Sequence, residues 1–167
     1  MGYRHRASSS GRLLRALGIG VLLALLATPA PAAGRIEATV VDVVDGDTIR
    51  VLFAGRMEKV RYIGMDTPET KHPIKGRQPG GAEATAANRR LVQGKTVRLE
   101  LDVQERDRYR RLLAYVYVGD VMVNEELLRL GYAQVMTVPP NVAHAQRFLA
   151  LEREAREARR GLWGQTP

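Results

Sequence analysis

The chain contains no cysteine among its 167 residues, so no disulfide holds it, and its stability must come from a packed core, a bound ligand or both. It has no acidic residue before Glu37 and no internal repeat. Nor does it contain an apolar run of the roughly 20 residues needed to span a bilayer. The charge-free stretch from Ala16 to Ala27 is shorter than that, and Thr28-Pro29 ends it. What the N-terminus does contain is a basic leader of Arg4, His5, Arg6, Arg12 and Arg15, then this apolar stretch, then Ala30-Pro31-Ala32 with small residues at alternate positions. That order predicts a secretory signal peptide over residues 1–32, with Ala33 as the new N-terminus. The expected destination is the periplasm or the medium; an uncleaved segment would anchor the same domain to the membrane, facing the same compartment.

Residues 33–167 suffice for one domain with its own core and are too few for two. The leader's four arginines account for half of the formal net charge of +8, so a basic excess survives processing. That suits a polyanionic partner and is equally compatible with plain solubility.

Along the domain, Ile36 to Val44 is β-branched and runs into the tight turn Asp45-Gly46-Asp47. Thr48 to Phe53 continues as a second strand, and Ala54-Gly55-Arg56 turns the chain into a third, Met57 to Ile63. Residues 66–81, rich in Pro, Gly and Lys, predict a long exposed loop, and loops of that length usually have a use. A short helix follows over Glu83 to Val92, stopped by Gly94. Thr96 to Leu101 alternates cleanly as a fourth strand, and Leu112 to Val118 makes a fifth after a charged loop. Asn124 is expected to cap a helix over Glu125 to Leu130, and Asn141 a last helix reaching about Arg160. On the last helix Ala145, Phe148, Leu149, Glu152 and Ala155 mark a face only partly apolar. Five strands with tight turns and about three helices predict an α+β fold, a partly open barrel of the oligonucleotide-binding type with helices packed on it.

The residues that carry chemistry cluster at strand ends. Asp47 leaves the first turn and Asp66 follows the third strand; if those ends adjoin, two carboxylates converge on a hard cation that prefers oxygen ligands. Taken singly, Asp47 completes an Asp-Gly turn and Asp66 caps the next one. Arg61 and one arginine from the run Arg106, Arg108, Arg110 and Arg111 are suited to bind phosphate oxygens through paired, charge-assisted bonds. Lys71, Lys75 and Arg77 on the long loop suit flanking phosphates, or the solubility of that loop. His72, with no second histidine near, reads as a loop residue, and Trp163 as packing for the C-terminus.

Val44-Asp45-Gly46-Asp47-Thr48, the segment Arg61 to Pro73, Asp107-Arg108-Tyr109-Arg110-Arg111 and Met122-Val123-Asn124-Glu125 together resemble the staphylococcal nuclease family over about Arg35 to Trp163. The resemblance implies a calcium-dependent phosphodiesterase cutting single-stranded or frayed DNA and RNA at the 5′-oxygen to leave 3′-phosphate ends. It implies Ca2+ held by Asp47, Asp66 and the backbone carbonyl of Thr67, with Glu69 as the base that activates or orients water. Arg61 and Arg111 would stabilise the phosphorane-like transition state, and Tyr109, flanked by Arg108 and Arg110, would meet a substrate phosphate, unless the Tyr109 ring rests on the barrel instead. The chain departs from the family where glycines flank the second arginine, here Arg110 and Leu112, and where tyrosines are expected near positions 137 and 139, here Thr137 and Pro139. No obligate protein partner is expected, and a monomer is. The alternative from another class is a non-catalytic barrel of the same fold that binds single-stranded nucleic acid.

Overall fold

The computed structural model describes residues 35–70, 76 and 78–164. The expected signal peptide, Lys71, His72, Lys75 and Arg77 lie outside the described residues.

The β-branched N-terminal run forms β1 (Arg35–Val43), which is long enough to pair twice. Its first half runs antiparallel to β5 (Thr96–Glu100), its second half antiparallel to β2 (Thr48–Phe53). A register shift between Val40 and Asp42 leaves Val41 as a bulge, and bulges bend a strand in the way closure requires. The strand β3 (Arg56–Tyr62) returns from β2 through a two-residue loop in which Ala54 and Gly55 both have positive φ, at 48° and 75°. That primed turn matches the right-handed twist of the flanking strands.

The barrel closes through β6 (Leu112–Val118), which pairs antiparallel with β5 and parallel with β3. The parallel contact sets Val60 opposite Leu112, Arg61 opposite Leu113 and Tyr62 opposite Ala114. Five strands thus form a closed barrel of the expected class, filled by Val40, Ile49, Val51, Val60, Leu99 and Val116. Closure also has a chemical consequence, because it brings the Arg61 strand and the loop ending in Arg111 to the same end of the barrel.

Three further short strands among the described residues were not foreseen. Met65–Asp66, here β4, pairs with β8 (Gln134–Val135), and β7 (Val121–Met122) extends the sheet beyond β6. Two-residue strands carry no legible alternation, and β4 exists because Gly64 lets the chain turn. Gly64 has φ 78°, and a Cβ on it would sit 2.7 Å from the Phe148 ring.

Three helices cover the barrel: α1 (Gly81–Val92), α2 (Val123–Arg129) and α3 (Ala145–Glu157). The apolar face of α3 is Phe148, Leu151 and Ala155, whereas Leu149, expected on that face, is exposed. Neither expected asparagine cap forms. Asn124 lies inside α2, fully buried, where its Oδ1 accepts the Val116 amide at 2.9 Å and its Nδ2 donates to the Ile63 carbonyl at 3.0 Å. Asn141 precedes the start of α3 and bonds both the amide and the carbonyl of Gln104. Each asparagine spends its amide on satisfying backbone of another segment. Trp163 lies in a short 3₁₀ turn after α3, its ring beneath the Arg156 guanidinium at 4.0 Å.

Asn124→Ala strands a buried amide and a buried carbonyl, and a destabilisation of about 2–4 kcal/mol is expected. Urea unfolding measures it; a loss below about 1 kcal/mol would mean that water replaces the side chain.

Candidate active site

The first turn is built for close approach. Val44 and Asp45 amides both donate to the Thr48 carbonyl, and the Asp47 amide donates to Asp45 Oδ1 at 3.1 Å. A Cβ at Gly46 would lie 2.5 Å from Thr67 Oγ1 and 2.9 Å from Ala84 Cβ. Only glycine lets this turn press against both the Thr67 segment and α1. From α1, the buried Asn88 donates to the Asp45 carbonyl at 3.0 Å and accepts from the Tyr62 hydroxyl at 2.8 Å.

Asp47 is consequently only 5 % exposed. Its Oδ2 accepts the Thr67 amide at 2.9 Å and the Thr67 hydroxyl at 3.1 Å, and its Oδ1 accepts the Thr48 hydroxyl. The same Oδ2 lies 3.1 Å from Arg61 Nη1. Arg61, 8 % exposed, donates from Nη1 to the carbonyls of Tyr62 and Met65 and from Nη2 to Asp66 Oδ1 at 2.7 Å. Asp47 and Asp66 therefore converge, as the two motifs require, and the group they converge on is Arg61.

The charge in this knot does not balance. Burial pushes the Asp47 carboxyl up to about 7; Arg61 pulls it down, while Asp45 and Asp66 push it further up. Two carboxylates, Asp47 and Asp66, thus share the Arg61 guanidinium, with Asp45 close behind Asp47. Among the described residues no three His, Asp or Glu side chains make a complete metal site. The oxygen donors and the excess negative charge nevertheless fit a hard cation whose remaining positions are filled by water or phosphate. Asp47 and Asp66 both lie against Arg61, and Thr67 is bound to Asp47 through its amide and hydroxyl.

Glu69 is exposed on the loop beyond Pro68. Its backbone is clamped at both ends by Gln78, which donates its amide to the Glu69 carbonyl and accepts the Glu69 amide through Oε1, both at 2.9 Å. Across an open cleft of about 500 Å³ it faces Arg111, with Lys59, Tyr109 and Arg110 completing the lining.

The arginine run is sorted by geometry. Arg106 is paired with Glu58 through both Nη atoms, at 2.9 and 3.0 Å. Arg108 stacks over the Tyr109 ring and donates to its hydroxyl at 2.7 Å. Arg110 ends a three-residue loop in the left-handed conformation, φ 64°, the position at which glycine carries no strain. Leu112, at the other departure from the family pattern, is simply a buried residue opening β6. Arg111 alone reaches two clefts. Besides the one it shares with Glu69, it lines a narrower cleft of about 200 Å³ together with Arg61, walled by Ile63, Leu113, Met136 and Val138. The residues near the expected tyrosine positions that line this wall are Met136 and Val138, and not Thr137 or Pro139. Tyr109 is 65 % exposed and does not rest its ring on the barrel.

Sequence reasoning missed Asp107. Its Oδ2 accepts Arg111 Nε at 2.6 Å and its Oδ1 accepts the Arg111 and Tyr109 amides. Burial alone would raise this carboxyl, but the Arg111 bonds outweigh it and hold the group below its ordinary value. The only signal was an acid four residues before an arginine across a tight loop. Asn88 and Tyr62 were missed as well, because their roles arise from contacts between distant segments.

Set beside known proteins, residues 59–165 match the family described as staphylococcal nuclease homologue. A thermonuclease from Staphylococcus hyicus is 41% identical over 124 residues, covering 74% of this chain and 73% of that protein. A thermonuclease from Staphylococcus intermedius is 39% identical over 121 residues, with 72% of each covered. Endonuclease YncB from Bacillus subtilis is 42% identical over 125 residues, covering 74% of this chain and 59% of that protein.

A carboxyl held below its ordinary value stabilises the fold above the unfolded pKa near 4 and loses that contribution as pH falls through its folded value. Asp107→Asn is therefore expected to cost about 1–2 kcal/mol at pH 7, to lose most of that deficit at pH 2–3, and to lower turnover by loosening Arg111. Urea titrations at the two pH values test it; a deficit that does not shrink in acid assigns Asp107 no ionic role.

Proposed function

We propose, for a chain that belongs to the staphylococcal nuclease family, a calcium-dependent phosphodiesterase that hydrolyses DNA and RNA at the 5′-oxygen and leaves 3′-phosphate ends. That the chain is a nuclease, a hydrolase of nucleic acids, follows from the family and from relatives named thermonuclease and endonuclease. Calcium, the direction of cleavage and the individual residue roles are the proposal. The observation that carries it is the position of Arg111, which shares one cleft with Glu69 and the other with Arg61, the residue that Asp47 and Asp66 hold.

When bound at Asp47, Asp66 and the Thr67 carbonyl, a calcium ion supplies positive charge beside the phosphate and acidifies a coordinated water. Glu69, on its clamped loop, orients the attacking water and accepts its proton. Arg111, braced by Asp107, and the cleft-facing edge of Arg61 donate to the non-bridging oxygens as their charge grows. Neither arginine transfers a proton at working pH. As the water oxygen bonds to phosphorus, the P–O5′ bond breaks, giving a 3′-phosphate and a 5′-hydroxyl.

The narrow cleft beside Arg61 and Arg111 offers mainly aliphatic walls to a nucleoside; Tyr62, the aromatic residue that also lines it, is buried with its hydroxyl held by Asn88. This favours tolerance of base identity and of unpaired strands, single-stranded or frayed, over sequence reading. Tyr109, with Arg108 on its hydroxyl, is proposed to meet a neighbouring phosphate, as are Lys71 and Lys75. The non-catalytic alternative leaves the pair of carboxylates on the buried Arg61 without a purpose. Export of a monomer after cleavage of residues 1–32, to the periplasm or the medium, completes the proposal and would separate the enzyme from the genome.

The test incubates the protein with single-stranded DNA or RNA, in calcium or in excess chelator, beside Glu69→Gln. Calcium-dependent cutting is expected, with kcat lowered by about 10²–10⁴ in the variant and 3′-phosphate on the products. Binding without cutting under any divalent cation overturns the calcium-dependent enzyme; undiminished cutting by the variant removes Glu69 from its role.

A further inference from the structure

The open cleft between Glu69 and Arg111 contains two cations that the reaction does not use. Lys59 lies on β3 two residues before Arg61, with its side chain exposed, and Arg110 lies at the tip of the loop before Arg111. Among the described residues neither side chain makes an ion pair. The neighbouring arginines are all engaged: Arg106 with Glu58, Arg108 on Tyr109 and Arg111 with Asp107.

Both cations sit where the fold disfavours them. Lys59 is directly opposite Arg50 in the β2–β3 register, and like charges facing each other across strands repel. Arg50 has Asp42 as a partner, which leaves Lys59 the unrelieved member. Arg110 has φ 64°, in the left-handed region where a side chain is strained and glycine is not. Side chains retained against local cost point to a use outside the fold.

The chemistry of the cleft narrows that use. Its one anion, Glu69, has to stand beside a substrate that is itself a chain of anions, and the repulsion between them opposes binding. Lys59 and Arg110 line the same cleft as Glu69, and Arg111 lines both that cleft and the one beside Arg61. We propose that Lys59 and Arg110 form a phosphate subsite that grips a diester next to the scissile one on the same polynucleotide strand. The ligand class is an extended single strand rather than a dinucleotide, and the subsite favours cuts at bonds that have such a flanking phosphate. This inference rests on the nuclease reading for its substrate, while its central measurement does not require cutting.

The measurement is the binding of a fluorescent single-stranded oligothymidylate by the full chain in excess chelator, from 50 to 300 mM salt. Each lost contact to a single strand makes the slope of log K against log[salt] shallower by about 0.7. Lys59→Ala and Arg110→Gly are each expected to give that change, and the double variant about twice it, with affinity at 100 mM salt lowered about tenfold. Arg90→Ala, a charge removed from the exposed face of α1, controls for net charge and should leave the slope near that of the wild type. Arg110→Gly relieves strain, so a thermal melt no lower than wild type verifies that it folds. Slopes in both cleft variants equal to that of Arg90→Ala overturn the subsite. With calcium, the double variant should lose about tenfold more kcat/KM on the oligonucleotide than on a dinucleotide; equal losses also overturn it. Failure of the wild type to cut under any divalent cation would instead refute the nuclease reading and leave the slope result standing.

Discussion

Arg61 is the residue on which the rest of the site depends. A guanidinium this deeply buried is stable only if its charge and its donors are met, and losing either partner leaves an uncompensated charge. The fold meets that demand with carboxylates from two separate segments, Asp47 at the β1–β2 turn and Asp66 on β4, and with the carbonyls of Tyr62 and Met65. Because Asp47 also takes both donors of Thr67, three stretches of chain are fastened at one point. The fastening leaves more negative charge than positive. A divalent cation bound there would offset that surplus before an anionic phosphodiester approached.

Closure of the barrel gives this knot its reach. The parallel β3–β6 pairing, with Arg61 across from Leu113, fixes the separation of the two arginines through the backbone, independently of side-chain rotamers. Asp107 and Asn88 do comparable work at the edges, one bracing Arg111 and the other holding the Asp45 carbonyl through α1. Catalytic geometry on rigid elements with braced side chains loses little to reorganisation when charge develops. The exposed members, Glu69, Tyr109, Lys59 and Arg110, sit on the solvent side, where a long polyanion arrives.

Much of this was legible in the sequence where the signal is local. The meander β1–β2–β3 announced itself through β-branched runs broken by Asp-Gly and Ala-Gly turns, and Thr96 to Leu101 through clean alternation. Asp47, Asp66 and Arg61 could be named because their motifs are long and resemble a known family. The misses share a physical cause. Asn124 and Asn141 were read as caps because an asparagine that caps a helix and one that bridges two buried backbones have the same chemistry and differ only in what lies opposite. The β4–β8 pair and the β3–β6 closure join segments far apart in the chain, and two-residue strands have no period to detect. Leu149 was placed on the face of α3 because it lies at i+4 from Ala145, but the barrel covers a stripe centred on Phe148, Leu151 and Ala155, and periodicity alone does not say where that stripe is centred. Residue type alone left the choice among four arginines open; the family resemblance selected Arg111, and the engagement of Arg106 with Glu58 and of Arg108 with Tyr109 became visible only in the fold.

The claim that the carboxylates around Arg61 form a cation site is tested most directly by calorimetric titration of calcium into the wild-type protein and into Asp66→Asn, with no nucleic acid present. Asp66 lies at the exposed rim of the knot, its side chain 56 % accessible, so the variant should fold. The expected result is calcium binding weakened at least about tenfold, since hard-cation affinity is set by the count of charged ligands. Identical isotherms for the two proteins would contradict it.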